Sequence, residues 1–454
     1  MPSSEGGVSA PRLVDRAATR LIDRAAAVDL PALRSATSLG GAALGLAGRS
    51  VLVAAEAQLP SAIAFVELDG LVRRMTIAPP DLNPEHLQAI VEDAEIEAVV
   101  CDRPTRFAAL DLPIVPIATS LVPAEPPARM HETQWVLLTS GTLGRPKMAA
   151  HTLGALTGAI KGAPHEGRVV WSTFYDIRRY GGLQMLLRAL LGRTDFVLTD
   201  ATEPLGALLH RLGAAGVTAI SGTPSHWRRV LMSREHGPFA PRYLRLSGEI
   251  ADQLVLDGLR AAFPDAVIEH AYASTEAGVG FTVADGREGF PAALLGGSGE
   301  VAMKVADDTL RIRSPRAASL YLGAAAPPLT DADGFVDTGD LVERRGDRYV
   351  FVGRRGGIIN VGGLKVNPEE VEAAINCHPD VRMSLVHARK SPLTGAIVAA
   401  DIVLRDEATD GGVIREAILE TCRARLERHK VPAVLRFVTS LQLTAAGKLR
   451  RAQG

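Results

Sequence analysis

The chain has 454 residues, of which 47% are apolar and 22% charged, so it is long enough for two or more globular domains. Lysine and arginine total 50 against 51 acidic residues, and this balance argues against a general affinity for nucleic acid or anionic lipid. Cys101, Cys377 and Cys422 are too widely spaced for a disulfide framework or a cysteine-based zinc site. With no leader and no membrane-length apolar run, we expect a cytoplasmic protein.

Residues Arg12 to Leu30 carry apolar side chains at helical spacing, which predicts an amphipathic helix. Strand-like and helical runs then alternate, which predicts an α/β fold with mostly parallel sheets. The predicted strands are 50–54, 98–101, 114–117, 135–138, 168–172, 195–199 and 243–247. The predicted helices are 57–68, 83–93, 182–191, 204–214, 225–232 and 251–263.

From residue 296 to 322 the pattern changes to short β segments, which predicts a small β unit within a large N-terminal domain, 1–353. The glycine-rich residues 354–357 then predict a hinge. The remaining residues, 358–454, are enough for a small, mobile α+β domain. Its predicted elements are a helix at 368–376, a hairpin at 383–404 and a helix at 412–428.

A loop rich in glycine and hydroxyl residues follows the strand-like run that ends at Leu138. Glycines bring backbone N–H groups close to an anion, while hydroxyls and a lysine add further donors, so this segment predicts a polyphosphate site. The candidate ligands of the phosphates are Thr139, Ser140, Gly141, Thr142, Gly144 and Lys147. The spacing does not match the nucleotide loop G-x-x-x-x-G-K-[ST], because Lys147 follows Pro146 and precedes Met148.

The order Thr-Ser-Gly-Thr-x-Gly-x-Pro-Lys resembles the phosphate loop of the adenylate-forming superfamily. That superfamily includes acyl-CoA synthetases, aryl-CoA ligases and adenylation domains of peptide synthetases. Compared with it, the segment before the loop is short, so we expect a trimmed N-terminal part. The resemblance implies ATP as a substrate, with Mg²⁺.

A second stretch, Ala271 to Glu276, resembles the Tyr-Gly-x-Thr-Glu motif of the same family, with Ala273 in place of the usual glycine. The resemblance implies that Tyr272 stacks on adenine, that Thr275 contacts the α-phosphate and that Glu276 binds Mg²⁺. Without the resemblance, the same residues are an ordinary strand end followed by the first turn of a helix.

The third stretch contains Thr338, Gly339 and Asp340, and it resembles the motif whose aspartate binds both ribose hydroxyls. Arg354 matches the arginine of the hinge motif and is expected at the ribose or phosphate. The family usually has two aspartates where this chain has Gly356 and Gly357, and a lysine where it has Asn360. These departures predict a looser hinge without charge-based control.

Near the C-terminus, Thr444 to Arg450 resembles the Thr-x-x-Gly-Lys-x-x-Arg ending of the family. Lys448 is therefore expected to be the catalytic cation of adenylate formation. Gly362 and Gly363 match the glycine-rich loop that faces the pantetheine arm of coenzyme A during the second half-reaction.

The family commonly has a histidine near residues 173–183, and this chain has none there. Tyr175 or Tyr180 is expected to replace it in the acid pocket, and Arg178 or Arg179 to face either a polar acid or solvent. The other candidate residues of the pocket are Thr223, His226, Gly248 and Ala273. Their shape and charge do not identify the acid.

The motifs together imply an acyl- or aryl-CoA ligase that forms an acyl-adenylate from ATP and a carboxylic acid, then a thioester with coenzyme A. Coenzyme A is favoured because no carrier domain follows Lys448. The alternative is a free-standing adenylation enzyme that loads a carrier protein. A degenerate nucleotide-binding protein without catalysis is the third possibility, motivated by the residues that depart from the family pattern.

Overall fold

The computed structural model of the chain describes residues 13, 19–128, 130–139, 145–233, 237–297, 299–391, 395–406 and 411–441. The chain divides into two compact units. Unit 1 comprises Met1–Asp200, Ala215–Ala219 and Ala318–Pro327, and unit 2 comprises Ala201–Ala214, Ile220–Ala317 and Pro328–Gly454. Elements are numbered below in chain order.

Unit 1 consists mainly of short parallel strands joined by helices. Its strands are β1 Arg20–Ile22, β2 Ala27–Asp29, β3 Ala36–Thr37, β4 Ser50–Val53, β5 Arg74–Ile77, β6 Ala98–Cys101, β7 Ile114–Pro116, β8 Val122–Pro123, β9 Gln134–Thr139, β10 Lys147–His151, β11 Val170–Thr173, β12 Asp195–Val197 and β20 Leu320–Leu322. Its α-helices are α1 Gln58–Leu68, α2 Leu87–Asp93, α3 Leu153–Thr157 and α4 Tyr180–Gly192. Its short 3₁₀ helices are Leu30–Arg34, Ala42–Leu46, Pro84–His86 and Pro104–Phe107.

A seven-stranded sheet forms the centre of unit 1, in the order β20-β10-β9-β5-β4-β6-β7. The neighbouring strands β9, β5, β4, β6 and β7 run parallel to one another. At one edge, β10 pairs antiparallel with β9, and β20 pairs antiparallel with β10. Helix α1 is buried from Leu59 to Leu68, which explains why its sequence is apolar on every side. Unit 1 also contains the strands β11, β12, β1 and β2, paired in that order.

Unit 2 contains longer antiparallel strands and the C-terminal elements. Its strands are β13 Ala219–Gly222, β14 Tyr243–Ser247, β15 Val267–Ser274, β16 Gly278–Val283, β17 Phe290–Pro291, β18 Ala302–Ala306, β19 Thr309–Arg313, β21 Val336–Arg345, β22 Arg348–Arg354, β23 Ile359–Val361, β24 Leu364–Val366, β25 Val381–Ser391, β26 Gly395–Leu404 and β27 Val434–Phe437. Its α-helices are α5 Leu205–Ala214, α6 Pro224–Met232, α7 Gln253–Ala262, α8 Pro368–Asn376 and α9 Gly411–Arg423. The 3₁₀ helices are Ala292–Leu294, Arg355–Gly357 and Arg428–Lys430.

The five-stranded antiparallel sheet β17-β22-β21-β19-β18 is the small β unit that the sequence predicts. The C-terminal part has a β23-β24 hairpin and a sheet in the order β25-β26-β27. Helices α8 and α9 pack on the same core as that sheet, through Val371, Ile375, Ile414 and Ile418. The predicted α/β class, with a large N-terminal part and a smaller α+β C-terminal part, is confirmed.

The helix predicted from Arg12 to Leu30 is wrong for the described residues 19–30, which form the β1-β2 hairpin. The Asp23 carboxylate accepts the N–H groups of Ala25 (2.7 Å) and Ala26 (2.6 Å) and closes the turn. Strand β1 also pairs in parallel with β12, which is remote in sequence. Leu21 is buried by this pairing, and such non-local contacts override helical spacing.

Within the described ranges, no helix is both long enough and apolar enough to cross a bilayer.

Helix α4 begins on a tight turn, and two adjacent glycines of that turn allow a matched test. A Cβ atom at Gly182 would overlap the backbone carbonyl of Asp176, whereas a Cβ at Gly181 would lie 3.4 Å from the Tyr175 ring. We expect Gly182→Ala to lower the free energy of unfolding by about 1–3 kcal/mol. Gly181→Ala is the control and should be neutral or stabilising by up to about 1 kcal/mol. Equal effects of the two changes in urea unfolding would contradict this packing.

Candidate functional site

The predicted phosphate loop connects two antiparallel strands of unit 1. Thr139 at the end of β9 pairs directly with Lys147 at the start of β10. The loop therefore returns as a strand rather than opening a helix, in agreement with the mismatch to the G-x-x-x-x-G-K-[ST] pattern. Ser140, Gly141, Thr142 and Gly144 lie outside the described residues.

Two cations flank the C-terminal side of this loop. The Lys147 Nζ atom lies 4.9 Å from the centroid of the Tyr321 ring, and its side chain is exposed. Arg145 forms an ion pair with Asp93 and donates to the backbone carbonyl of Ala89 at 2.5 Å. Arg145 is therefore neutralised by a carboxylate, whereas Lys147 lies over an aromatic ring and forms no ion pair with the described residues. Lys147 is the better placed of the two to meet an anion.

Thr275 and Glu276 lie in the turn between β15 and β16 of unit 2. Ser274 pairs with Gly278 across this hairpin, and the Ser274 Oγ atom accepts the N–H of Ala277 at 3.0 Å. Gly278 has a φ of +70°, and a Cβ there would overlap the carbonyl of Arg316. The alternative in which Glu276 begins a helix is therefore wrong, because the chain turns back into a strand. Both Thr275 and Glu276 are half-buried.

Tyr272 and Asp340 are joined by a hydrogen bond in unit 2. The Tyr272 hydroxyl donates to Asp340 Oδ2 at 2.6 Å, and the Arg354 Nε atom lies 2.9 Å from Asp340 Oδ1. Burial and the adjacent Asp340 carboxylate raise the pKa of Tyr272 well above its ordinary value. The hydroxyl therefore keeps its proton and remains a donor to a carboxylate whose side chain is 20% exposed.

The Tyr272 ring belongs to an aromatic cluster that the sequence analysis did not identify. Its centroid lies 5.4 Å from that of Phe351 and 5.8 Å from that of Phe281, with both pairs nearly parallel. Phe290 and Tyr349 extend the cluster. Phe351 lies three residues before Arg354 on β22. Its closeness to the hinge motif in sequence was the one feature that could have indicated its position near Tyr272.

The segment predicted as the hinge leaves β22 and forms a 3₁₀ turn at Arg355–Gly357. Arg355 is held by Asp337 Oδ2 at 3.0 Å and donates to the Thr309 Oγ1 atom at 3.0 Å. Burial opposes ionisation of Asp337, but the N–H of Gly339 and the Arg355 guanidinium hold the pKa of Asp337 below its ordinary value. Cβ atoms at Gly356 and Gly357 would meet no atom within 4 Å.

The predicted pantetheine loop is the turn of the β23-β24 hairpin. Gly362 and Gly363 have φ values of +59° and +90°, which a side chain disfavours. The Asn360 side chain accepts the N–H of Gly363 at 2.9 Å and closes the turn. Asn360, which replaces the usual lysine of the family, thus has a local structural role here.

Thr223 and His226 form a capping box at the start of α6. The N–H of His226 donates to Thr223 Oγ1 at 3.1 Å, and the N–H of Thr223 donates to His226 Nδ1 at 3.1 Å. Burial lowers the pKa of His226 to about 3, with Arg229 as a weaker cause, so the imidazole is neutral near pH 7. Gly248 has a φ of +85°, and Ala273 lies at a register shift between β15 and β16.

Tyr175 and Tyr180 are both buried in unit 1. Arg178 is also buried, and it pairs with Asp176 at 2.5 Å while donating to the carbonyls of Ala55 and Glu56 at 2.7 Å each. Arg179 forms an ion pair with Asp81. The expectation that Arg178 or Arg179 faces a polar acid or solvent is therefore wrong for Arg178, because its guanidinium is saturated by carboxylate and carbonyl oxygens.

Lys448, the predicted catalytic cation, lies outside the described residues.

Comparison with known proteins identifies the family. Residues 71–318 match the AMP-binding enzyme family, and residues 370–448 match the AMP-binding enzyme C-terminal domain. The chain belongs to the AMP-binding enzyme family, and the predicted membership in the adenylate-forming superfamily is confirmed.

The individual proteins that resemble this chain share only about a quarter of its residues or fewer. The human mitochondrial acyl-coenzyme A synthetase ACSM2A is 25% identical over 71% of this chain, which spans only 60% of that relative. The 2-succinylbenzoate–CoA ligase of Bacillus cereus is 24% identical over 82% of this chain and 80% of its own. The solved anthranilate CoA ligase AuaEII, in complex with anthranoyl-AMP, has a TM-score of 0.78 at 19% identity and covers 97% of this chain and 95% of its own. The predicted class, an AMP-forming acid–thiol ligase, agrees with the family and these names.

The His226 capping box predicts an acid-sensitive contribution to stability. The unfolded state takes up a proton below about pH 6.5, whereas the folded imidazole resists protonation down to about pH 3. Stability therefore falls as the pH drops through this window, by roughly 1.4 kcal/mol per pH unit. We expect His226→Asn, which retains an acceptor for the N–H of Thr223, to have a shallower decline of the unfolding free energy between pH 6 and 4. His86→Asn is the control, and parallel declines in wild type and His226→Asn would disprove the assignment.

The partly exposed carboxylate of Asp340 predicts a role in nucleotide affinity. If this carboxylate binds the ribose, Asp340→Ala removes charge-assisted hydrogen bonds and should weaken ATP binding by roughly 10-fold to 100-fold in calorimetry. Asp347→Ala removes an exposed carboxylate, paired with Arg287, from the turn after β21 and is the matched control. An unchanged ATP affinity in Asp340→Ala refutes the role.

Proposed function

We propose that the chain activates a carboxylic acid with ATP to an acyl-adenylate and then forms a thioester with coenzyme A. The observation that carries this proposal is the Asp340 carboxylate, fixed between Tyr272 and Arg354 in a chain of the AMP-binding enzyme family. A carboxylate with two acceptor oxygens suits a ribose diol. Binding of the ribose of ATP by Asp340 is therefore the first step of the proposed reaction.

In this proposal the nucleotide is bound by residues from several separate stretches. Asp340 binds the ribose, Arg354 binds the ribose or a phosphate, and Tyr272 stacks on adenine. Thr275 contacts the α-phosphate. The loop that begins at Thr139 and ends at Lys147 holds the other phosphates through Ser140, Gly141, Thr142 and Gly144.

Mg²⁺ fits this donor set if it arrives with the phosphates. Among the described residues there is no group of three or more histidine, cysteine or acidic side chains that could hold a metal alone. Mg²⁺ in nucleotide sites typically uses one or two carboxylates, phosphate oxygens and water, and Glu276 supplies such a carboxylate. When bound, the ion neutralises phosphate charge.

The first half-reaction joins two anions. A carboxylate oxygen of the acid attacks the α-phosphorus, the bond to the bridging oxygen breaks, and pyrophosphate leaves. Lys147 and Lys448 lower the barrier by placing positive charge where negative charge accumulates. In the second half-reaction the thiol sulfur attacks the acyl carbon, the bond from that carbon to the phosphate oxygen breaks, AMP leaves, and the thiol proton passes to solvent.

Alternation between the half-reactions requires a movement of the C-terminal domain, 358–454, about the hinge at 354–357. Two adjacent glycines at 356 and 357 support this role, because glycine adopts backbone dihedrals that other residues disfavour. The movement brings Lys448 into the site for adenylation and the turn at Gly362 and Gly363 toward pantetheine for thioester formation.

A carrier protein is the alternative acceptor, since adenylation domains load such partners. The third possibility, a nucleotide-binding protein without catalysis, predicts ATP binding without pyrophosphate exchange under any acid. A reducing, cytoplasmic location is part of the proposal and is supported by the free thiols of Cys101, Cys377 and Cys422. No role with nucleic acid or membrane is proposed.

The acid pocket is proposed to include Tyr175, Tyr180, Thr223, His226, Gly248 and Ala273. A neutral His226 and two buried tyrosines favour an acid whose body is uncharged, and Arg178 supplies no free charge for a second carboxylate. Aryl and alkyl acids with an uncharged body are therefore the first to test.

The function is tested by incubating the protein with ATP, Mg²⁺ and a panel of aryl and alkyl acids, with either coenzyme A or carrier protein. Mass spectrometry should detect an acyl-adenylate first and an acyl-CoA product after the thiol is added. Thioester on the carrier protein alone would favour the alternative acceptor. Absence of acid-dependent pyrophosphate exchange across the panel would refute catalysis.

The proposed role of Lys448 in adenylate formation alone predicts that Lys448→Ala affects one half-reaction and not the other. This change should slow adenylate formation by roughly 100-fold or more, while thioester formation from a supplied acyl-adenylate stays near the wild-type rate. Single-turnover assays of each half-reaction measure the two rates. Lys390→Ala, a surface lysine of β25, is the control. Equal losses in both half-reactions would overturn the assignment of Lys448.

A further inference from the structure

The backbone around Asp340 is fixed before any nucleotide binds. The Thr338 Oγ1 atom accepts the N–H of Asp340 at 3.1 Å and donates to the carbonyl of Leu310 on the neighbouring strand at 2.6 Å. Arg354 donates to the carbonyl of Thr338 at 3.1 Å. These bonds locate the Cα atom of Asp340 but leave the two side-chain torsions of its carboxylate to be set by other contacts.

The hydroxyl of Tyr272 supplies one of those contacts from a rigid position. Its ring packs against Phe281 of β16 and Phe351 of β22, at interplanar angles of 23° and 12°. The hydroxyl therefore has little freedom, and its hydrogen bond to Asp340 Oδ2 at 2.6 Å selects one orientation of the carboxylate. Arg354 is 60% exposed and binds the other oxygen, Oδ1, from the solvent side.

We propose that Tyr272 is a positioning residue for Asp340, and that its hydroxyl orients the carboxylate for the ribose diol and so determines selection of ribonucleotides over deoxyribonucleotides. This inference rests on the proposed binding of ribose by Asp340. It assigns to Tyr272 a role that acts through Asp340 and is separate from the proposed stacking of its ring on adenine.

The acceptor capacity of Asp340 is compatible with this role. An ionised carboxylate offers about four lone-pair sites, two on each oxygen. Tyr272 occupies one site on Oδ2 and Arg354 one on Oδ1, so each oxygen keeps one site for a ribose hydroxyl. A carboxylate that is oriented in advance also avoids an ordering cost when the nucleotide binds.

The effect of the hydroxyl should therefore depend on the sugar. Tyr272→Phe retains the ring and removes only the donor. It should weaken ATP binding by about 3-fold to 10-fold, and leave the affinity for 2′-deoxyATP and 3′-deoxyATP within about 2-fold of wild type. The ratio of deoxynucleotide to ATP dissociation constants should fall accordingly. Calorimetry with Mg²⁺ and without acid measures all three nucleotides.

Tyr349→Phe is the matched control, because Tyr349 lies in the same aromatic cluster with its ring 5.7 Å from that of Phe290. It should leave the ratio unchanged. A purely structural role of the Tyr272 hydroxyl would weaken all three nucleotides equally, and that result would overturn the inference.

A double-mutant cycle separates this inference from the proposed function. If Tyr272 acts only through Asp340, then Tyr272→Phe should have no further effect on ATP affinity in an Asp340→Ala background. A full effect in that background would mean that the hydroxyl acts without Asp340 and would overturn the inference. If the wild-type protein binds ATP and the deoxynucleotides equally, ribose binding by Asp340 itself is refuted, whatever Tyr272 does.

Discussion

The hydrogen bond between Tyr272 and Asp340 links the strands of unit 2 that carry the proposed nucleotide-binding residues. It joins β15 to β21, and the ion pair from Asp340 to Arg354 adds β22. The aromatic cluster around Tyr272 restrains this junction, since Phe281 of β16 and Phe351 of β22 both pack against its ring. A buried tyrosine hydroxyl needs a partner, and an ionised carboxylate is a strong one. The result is a carboxylate with a defined orientation beside the proposed hinge.

The proposed hinge differs from the usual family sequence, but the residue at which its turn begins, Arg355, is anchored by hydrogen bonds. Gly356 and Gly357 stand where the family usually has two carboxylates, and a Cβ atom added at either glycine would meet no atom within 4 Å. Immediately before them, Arg355 is anchored to Asp337 and Thr309 of the five-stranded sheet. The structure therefore anchors the arginine that begins this turn, and movement about the two glycines that follow it remains part of the proposed function.

The arginines and the histidine that the sequence predicts near the acid are each neutralised by their own local surroundings. Arg178 is saturated by Asp176 and two backbone carbonyls, and Arg179 pairs with Asp81. His226 is neutral because burial disfavours its charged form. In the proposed reaction, the positive charge that favours attack on phosphorus comes from Lys147 and Lys448.

The sequence by itself determined the family, the α/β class and the order of the motifs, because local spacing of hydroxyls, glycines and charges encodes loops that must approach phosphate and ribose. It also located most central strands and helices, since buried parallel strands are continuous apolar runs. It could not assign the β1-β2 hairpin, whose apolar residues also fit helical spacing and whose pairing with β12 is non-local. Only the tertiary structure decided that Arg178 is internally satisfied and that Tyr272 reaches Asp340. Those contacts join residues that are distant in sequence. The direction of each side chain depends on tertiary packing, which the local sequence does not specify.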